Sequence, residues 1–185
     1  PHPCTERTKA PPELFAWANF DGEHYLSIAI YGYKHLEQAF FPVYPLLIRY
    51  VNYIFHNPIT SGVLISHTAF VIGFVIFNKY LRLIKEQRRL WVLLFLIAYP
   101  ASYYFGIMYT ESVFFALFIS ALYFGKKKQY ALAFIYAYLT ALTRVVGVFL
   151  TIPLSMPLLE EMIKTKKLPT SWQHILLCTA PVLGM

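Results

Sequence analysis

The chain has 185 residues, 58% of them hydrophobic and 14% charged, well below the roughly 25% charge of a soluble domain, which excludes an ordinary soluble enzyme and a disordered chain. Its net charge of +7 invites a nucleic-acid reading that the positions of the charges remove. Eleven of the sixteen Lys and Arg fall in three short clusters between apolar runs: Lys79, Arg82, Lys85, Arg88 and Arg89; then Lys126, Lys127 and Lys128; then Lys164, Lys166 and Lys167. That is the pattern of cytoplasmic loops in a multi-pass membrane protein, and no nucleic-acid partner is expected.

In chain order, residues 1–56 are polar and aromatic, and are expected on the extracytoplasmic side or in the interface. The run at 42–55 (PVYPLLIRYVNYIF) has one charge and many aromatics, which predicts an interfacial helix starting at a Pro-rich turn. Residues 57–78 carry no Asp, Glu, Lys or Arg and end at the first basic cluster, predicting one crossing. The 36 residues 90–125 contain Glu111 as their sole charge and lie between two basic clusters. Two clusters on one face require an even number of crossings, so a hairpin is predicted, with its outer tip near 106–112. Residues 129–159 repeat the arrangement around Arg144. The expected spans are 57–78, 90–106, 111–125, 129–143, 145–159 and an incomplete one at 172–185. The expected fold class is an all-α polytopic membrane protein, divided into a first extracytoplasmic loop (1–56) and a transmembrane helical region (57–185). The polar opening and the apolar end read as a fragment of a longer membrane protein, lacking a first membrane helix and a C-terminal part. Cys4 and Cys178 fit no metal or redox spacing.

The densest polar constellation is Asn19-Phe20-Asp21-Gly22-Glu23-His24-Tyr25. Asp21, Glu23 and His24 offer proton acceptors, and Gly22 permits a tight turn that presents them together; the bland alternative is a solvated loop before a helix. Their spacing is a weak metal signal, and no metal or cofactor is expected. Glu111, in Tyr109-Thr110-Glu111-Ser112, sits at a predicted hairpin tip, where it is either a polar loop residue or a ligand-facing one. Arg144 interrupts about thirty apolar residues, and ionisable groups in such surroundings are expensive to bury. It either snorkels to headgroups or grips a phosphate with its planar fork.

These residues resemble a family. Phe20-Asp21-Gly22-Glu23-His24-Tyr25, Ile28-Ala29, Gly32-Tyr33, Ala39-Phe40-Phe41-Pro42 and Tyr44-Pro45 look like the first luminal loop of the GPI mannosyltransferase II (PIG-V-type) family and its prokaryotic relatives. Tyr99-Pro100-Ala101-Ser102, Tyr109-Thr110-Glu111-Ser112 and Thr143-Arg144 with Gly147 follow in the same order, so the resemblance covers about 17–150. Phe20 stands where the family usually has Trp. The resemblance implies a GT-C-type membrane glycosyltransferase that takes mannose from a polyprenyl- or dolichyl-phosphate donor and gives it to a glycan or glycolipid acceptor. It implies Asp21 as catalytic base, with His24 and Glu23 beside it. The donor phosphate and substrates fall to Arg144, Glu111, Tyr25, Tyr109 and Tyr44. The implied location is the plasma membrane of a prokaryote or the endoplasmic reticulum membrane of a eukaryote, among membrane lipids. The competing readings are a GT-C enzyme using another lipid-linked sugar, a lipid or solute transporter, and a silent subunit that scaffolds another transferase.

Overall fold

The computed structural model describes residues 12–35, 37–165 and 172–184. Helices account for most of them, and no strand occurs among the described residues. The elements in order are a 3-10 turn at Pro12–Ala18, α1 (Asp21–Tyr31), α2 (Val43–Phe55), α3 (Pro58–Leu83), α4 (Arg89–Ala98), a 3-10 turn at Pro100–Phe105, α5 (Glu111–Lys126), α6 (Tyr130–Ala141), a 3-10 turn at Val145–Leu150, α7 (Thr151–Thr165) and α8 (Trp172–Leu183). A short 3-10 turn at Glu37–Ala39 lies between α1 and α2.

Local chemistry accounts for the helix ends. Asn57 caps α3, its Oδ1 accepting from the Ile59 and Thr60 amides at 3.1 Å each, with Pro58 in the first turn where its missing N–H costs nothing. Acidic residues open α1 (Asp21, Glu23) and α5 (Glu111), while Arg82 and Lys126 stand in the last turns of α3 and α5, all on the favourable side of the helix dipole. Arg49 of α2 donates from Nε to the Ala29 carbonyl at 2.8 Å and from Nη2 to the Ile28 carbonyl at 3.1 Å. The Ile28 carbonyl also accepts the Gly32 amide at 2.9 Å, so one side chain of α2 fastens onto the last turn of α1.

Helix α3 has 26 residues, about 39 Å at 1.5 Å per residue, and is the one helix among the described residues long and apolar enough to cross a membrane. The other segments expected to span form shorter helices, none of which meets that length among the described residues. The segment expected at 90–106 is α4, only ten residues long, followed by the Pro100–Phe105 turn. Pro100 is the physical reason: the residue before a proline is pushed out of helical conformation, and Tyr99 is extended at φ −64°, ψ 133°. The segment at 145–159 likewise divides into a 3-10 turn and α7, which carries Pro157 inside it.

The helices pack as a chain of neighbours, α2 on α3, α3 on α5, α5 on α6, α6 on α8 and α7 on α8. One apolar cluster joins α1, α2 and the start of α3 through Tyr25, Leu26, Tyr44, Ile48, Ile59 and Met108. The second joins α5, α6 and α8 around Ala121, Ala133, Ala137 and Ala180, small residues that let helix backbones approach closely where packing must do the work. Gly147 is required by the same closeness: a Cβ there would lie 2.7 Å from the Thr140 carbonyl oxygen and 2.7 Å from the Ala141 Cα.

Candidate active site

Asp21 was expected on a loop beside a turn-forming Gly22. The structure makes Asp21 the first residue of α1, and Gly22 is buried in its first turn, where its Cβ position lies 3.4 Å from the Met108 carbonyl oxygen. The chain enters the helix through Phe20, at φ 55°, ψ −118°, with no side-chain cap. A bulky residue at positive φ carries strain of about 1–3 kcal/mol, and such strain collects at functional sites. The Met108 amide donates to the Trp17 carbonyl at 2.8 Å, which clamps the loop at 106–110 beside the entry to α1.

Three distant parts of the chain meet around a cavity of about 210 Å³: Asp21 and Tyr25 from α1, Tyr109, Thr110 and Glu111 from the start of α5, and Thr143 and Arg144 from the break after α6, closed by Phe40, Phe41, Val145 and Val146. Arg144 reaches it because α6 ends just before. Thr140 and Thr143 donate their hydroxyls back to the Tyr136 and Leu139 carbonyls at 2.6 and 2.7 Å, bonds that bend helices. Arg144 itself is extended at φ −154°, ψ 143°. Its Nη1 pairs with Glu111 Oε1 and lies 3.5 Å from Thr110 Oγ1. A guanidinium has five N–H donors, and Nε and Nη2 make no bond to the described residues. Glu111 Oε2 is buried and has no hydrogen-bond partner among the described residues.

The tyrosines at the cavity are held neutral. Burial raises the Tyr25 pKa above its usual value, opposed by a hydrogen bond with Thr110 and by Arg144. Burial also raises Tyr109, reinforced by the Asp21 carboxylate and opposed by the Asp21 backbone N–H. Both phenols therefore serve as hydrogen-bonding groups at neutral pH.

Of the site residues expected from sequence, Asp21, Tyr25, Tyr109, Glu111 and Arg144 line this one cavity. His24, Glu23 and Tyr44 do not. His24 stacks on Phe40, a wall residue, at 4.7 Å between centroids. Glu23 follows in the first turn of α1, half-buried. Tyr44 is fully buried; its hydroxyl donates to the Gly62 carbonyl at 3.0 Å and pairs with Ser66 Oγ at 2.8 Å. Burial drives its pKa far up. Sequence reasoning missed Thr110 and Thr143 as wall residues, although each directly precedes a charge it had singled out. Among the described residues, no group of three His, Cys, Asp or Glu side chains is placed to hold a metal ion. No family model, curated protein or solved structure matches the chain.

Proposed function

We propose that the chain is a multi-pass membrane glycosyltransferase that moves mannose from a polyprenyl- or dolichyl-phosphate donor to a glycan or glycolipid on the extracytoplasmic face. The observation that carries this reading is the convergence of Asp21, Glu111 and Arg144, from three separate segments, on one small cavity with two neutral tyrosines. A base, a cation and hydroxyl-binding groups within one such space are what sugar transfer from a phosphate requires.

In the proposed reaction an acceptor hydroxyl attacks the anomeric carbon, forming the glycosidic C–O bond as the bond from that carbon to the phosphate oxygen breaks. The hydroxyl proton passes to the Asp21 carboxylate. The lipid phosphate leaves with its bonding electron pair, and the nitrogens of Arg144 not engaged by Glu111 stabilise that charge. Glu111 holds Arg144 in place, and its buried second oxygen accepts from a sugar hydroxyl. His24 supports the wall at Phe40, and Glu23 is the reserve carboxylate.

The test is to incubate the full-length protein in membranes with labelled polyprenyl-phosphate-mannose and a panel of glycan acceptors. A labelled glycan product that disappears with Asp21→Asn is expected. Absence of product from every acceptor, with donor uptake or release across the bilayer instead, would replace the enzyme reading with a transporter.

A further inference from the structure

The catalytic cavity, at about 210 Å³, falls below the roughly 300–1,000 Å³ typical of ligand sites. It holds the reacting groups and leaves the body of an acceptor unaccommodated. Beside it lies a larger cleft of about 700 Å³, walled by Trp17, Phe20, His67, Tyr103, Tyr104 and Tyr109. Tyr109 belongs to both spaces, and Phe20 of the cleft directly precedes Asp21. We propose that this cleft seats the acceptor glycan, with pyranose rings lying against its aromatic walls and the hydroxyl to be glycosylated directed past Tyr109 to Asp21. The proposal rests on the transferase reading for the word acceptor; sugar binding in the cleft is measurable without it.

Three observations support a sugar over a lipid chain. The first is a continuous file of rings from the exposed rim to the reaction cavity: Tyr103 to Tyr104 at 4.1 Å between centroids, and Tyr104 to Tyr109 at 5.6 Å, stacked. Tyrosines join an apolar face to a polar edge, which matches the C–H face and hydroxyl rim of a pyranose. The second is a pair of polar groups set in an otherwise mostly apolar lining. The His67 Nδ1 lies 2.8 Å from the Val63 carbonyl, so in a neutral ring that nitrogen carries the proton and Nε2 is the free acceptor. Asn19 adds an amide to the same wall. The third is Phe20, held 80% exposed over the cleft on a strained positive φ. Nothing in the packing of the core uses that side chain, whereas a ring set against a sugar face would.

Gly106 gives a clean way to close the cleft. It has an ordinary φ of −91°, and a Cβ there would meet the Tyr103 carbonyl oxygen at 3.4 Å, the Trp17 ring at 3.7 Å and His67 Nε2 at 3.9 Å. These are normal contacts, so the backbone accepts a side chain and Gly106→Leu fills space between Trp17 and His67.

The experiment uses the full-length protein in lipid nanodiscs without maltoside detergent, whose sugar head would compete. Tryptophan fluorescence is followed while methyl α-mannoside, mannotriose or chitobiose is added, and the same titration of Trp17→Phe subtracts the other tryptophans. A saturable, Trp17-dependent change with at least one sugar is expected, lost in Gly106→Leu and weakened in Tyr103→Ala. Tyr103 is an exposed residue whose truncation spares the core, which covers a folding failure of Gly106→Leu. In transfer assays both variants should raise acceptor KM by about tenfold or more with donor KM unchanged. No Trp17-dependent response to any of the three sugars, or an undiminished one in both variants, overturns the proposal. Sugar binding without transfer from any labelled donor keeps the cleft as a sugar site and removes the transferase reading. Transfer with acceptor KM unchanged in both variants keeps the transferase and removes the cleft.

Discussion

Arg144 Nη1 and Glu111 Oε1 form an ion pair across 33 residues of sequence, joining the break after α6 to the first residue of α5. Arg144 is 39% exposed and Glu111 28%, so the pair is partly open to solvent and contributes little stability as a salt bridge. Its value is positional: it fixes the direction of a guanidinium that still has donors to spend.

Replacing either member should therefore change donor handling more than folding. Arg144→Lys keeps the charge but loses the planar fork, and donor KM should rise; Arg144→Ala should be worse. Glu111→Gln should reproduce part of the Arg144→Lys effect, and the double variant should fall short of the sum of the two, because both act on one guanidinium. Unchanged transfer and donor KM in both Arg144 variants would leave Arg144 as an anchor only.

Asp21→Asn preserves size and removes the proton acceptor, so kcat should fall by about 10²- to 10⁴-fold with donor binding retained. Glu23→Gln should cost less, since Glu23 does not line the cavity. The two variants are compared in transfer assays at matched expression. Near-normal turnover in the first with collapse in the second would move the base to Glu23.

Tyr44→Phe should act on stability. It deletes a hydroxyl bonded to both the Gly62 carbonyl and Ser66, and buried bonds of this kind contribute roughly 0.5–1.5 kcal/mol each with a further cost for partners left unsatisfied. A loss of about 1–3 kcal/mol in thermal or denaturant unfolding is expected, with acceptor and donor KM unchanged. A KM change without loss of stability would return Tyr44 to the substrate.

Gly147→Ala places a methyl 2.7 Å from the backbone of Thr140 and Ala141, which cannot yield as a flexible side chain can. The 3-10 turn after Arg144 must shift, so lower thermal stability and a raised donor KM should appear together. Normal values for both would show that the end of α6 relaxes freely.

The orientation of the chain in the membrane is tested by single cysteines. Lys127→Cys should resist an impermeant thiol reagent applied outside intact cells and react once the cells are opened. Labelling at 127 from outside would reverse the assignment of the basic clusters.

The helical segments were legible because their boundary signals are local. Asn57-Pro58 opens α3, the basic clusters bracket the apolar runs that follow, and Arg144 interrupts the run at 129–159. Helix lengths were less legible: counting apolar residues gave 90–106 as one unit, whereas Tyr99-Pro100 cuts it at Ala98. Asp21, Glu111 and Arg144 stood out as charges, Tyr25 and Tyr109 entered through the resemblance alone, and all five line the one cavity. Tyr44, which the resemblance also placed at the substrate, is buried in the core, because periodicity cannot say whether an aromatic on a helix faces a cavity or another helix. Phe20 hid the start of α1, since a phenylalanine is no capping residue and the acidic first turn behind it read as loop. Arg49 looked like one more outer charge, and its use on the carbonyls of α1 depends on a helix crossing that no local pattern encodes.

Ser66 has a consequence for how the protein would sense its lipid environment. It sits on α3, pairs with Tyr44 of α2 at 2.8 Å and lies 3.4 Å from the carbonyl of Tyr109, the residue shared by cleft and cavity. A helix of about 39 Å exceeds a hydrocarbon layer of about 30 Å, and such an excess is relieved by tilting. In the proposed membrane enzyme, the contacts of Ser66 with Tyr44 and the Tyr109 carbonyl would couple the tilt of α3 to the place of Tyr109 relative to Asp21. Turnover should therefore vary with acyl-chain length in reconstituted bilayers, and Ser66→Ala should flatten that dependence.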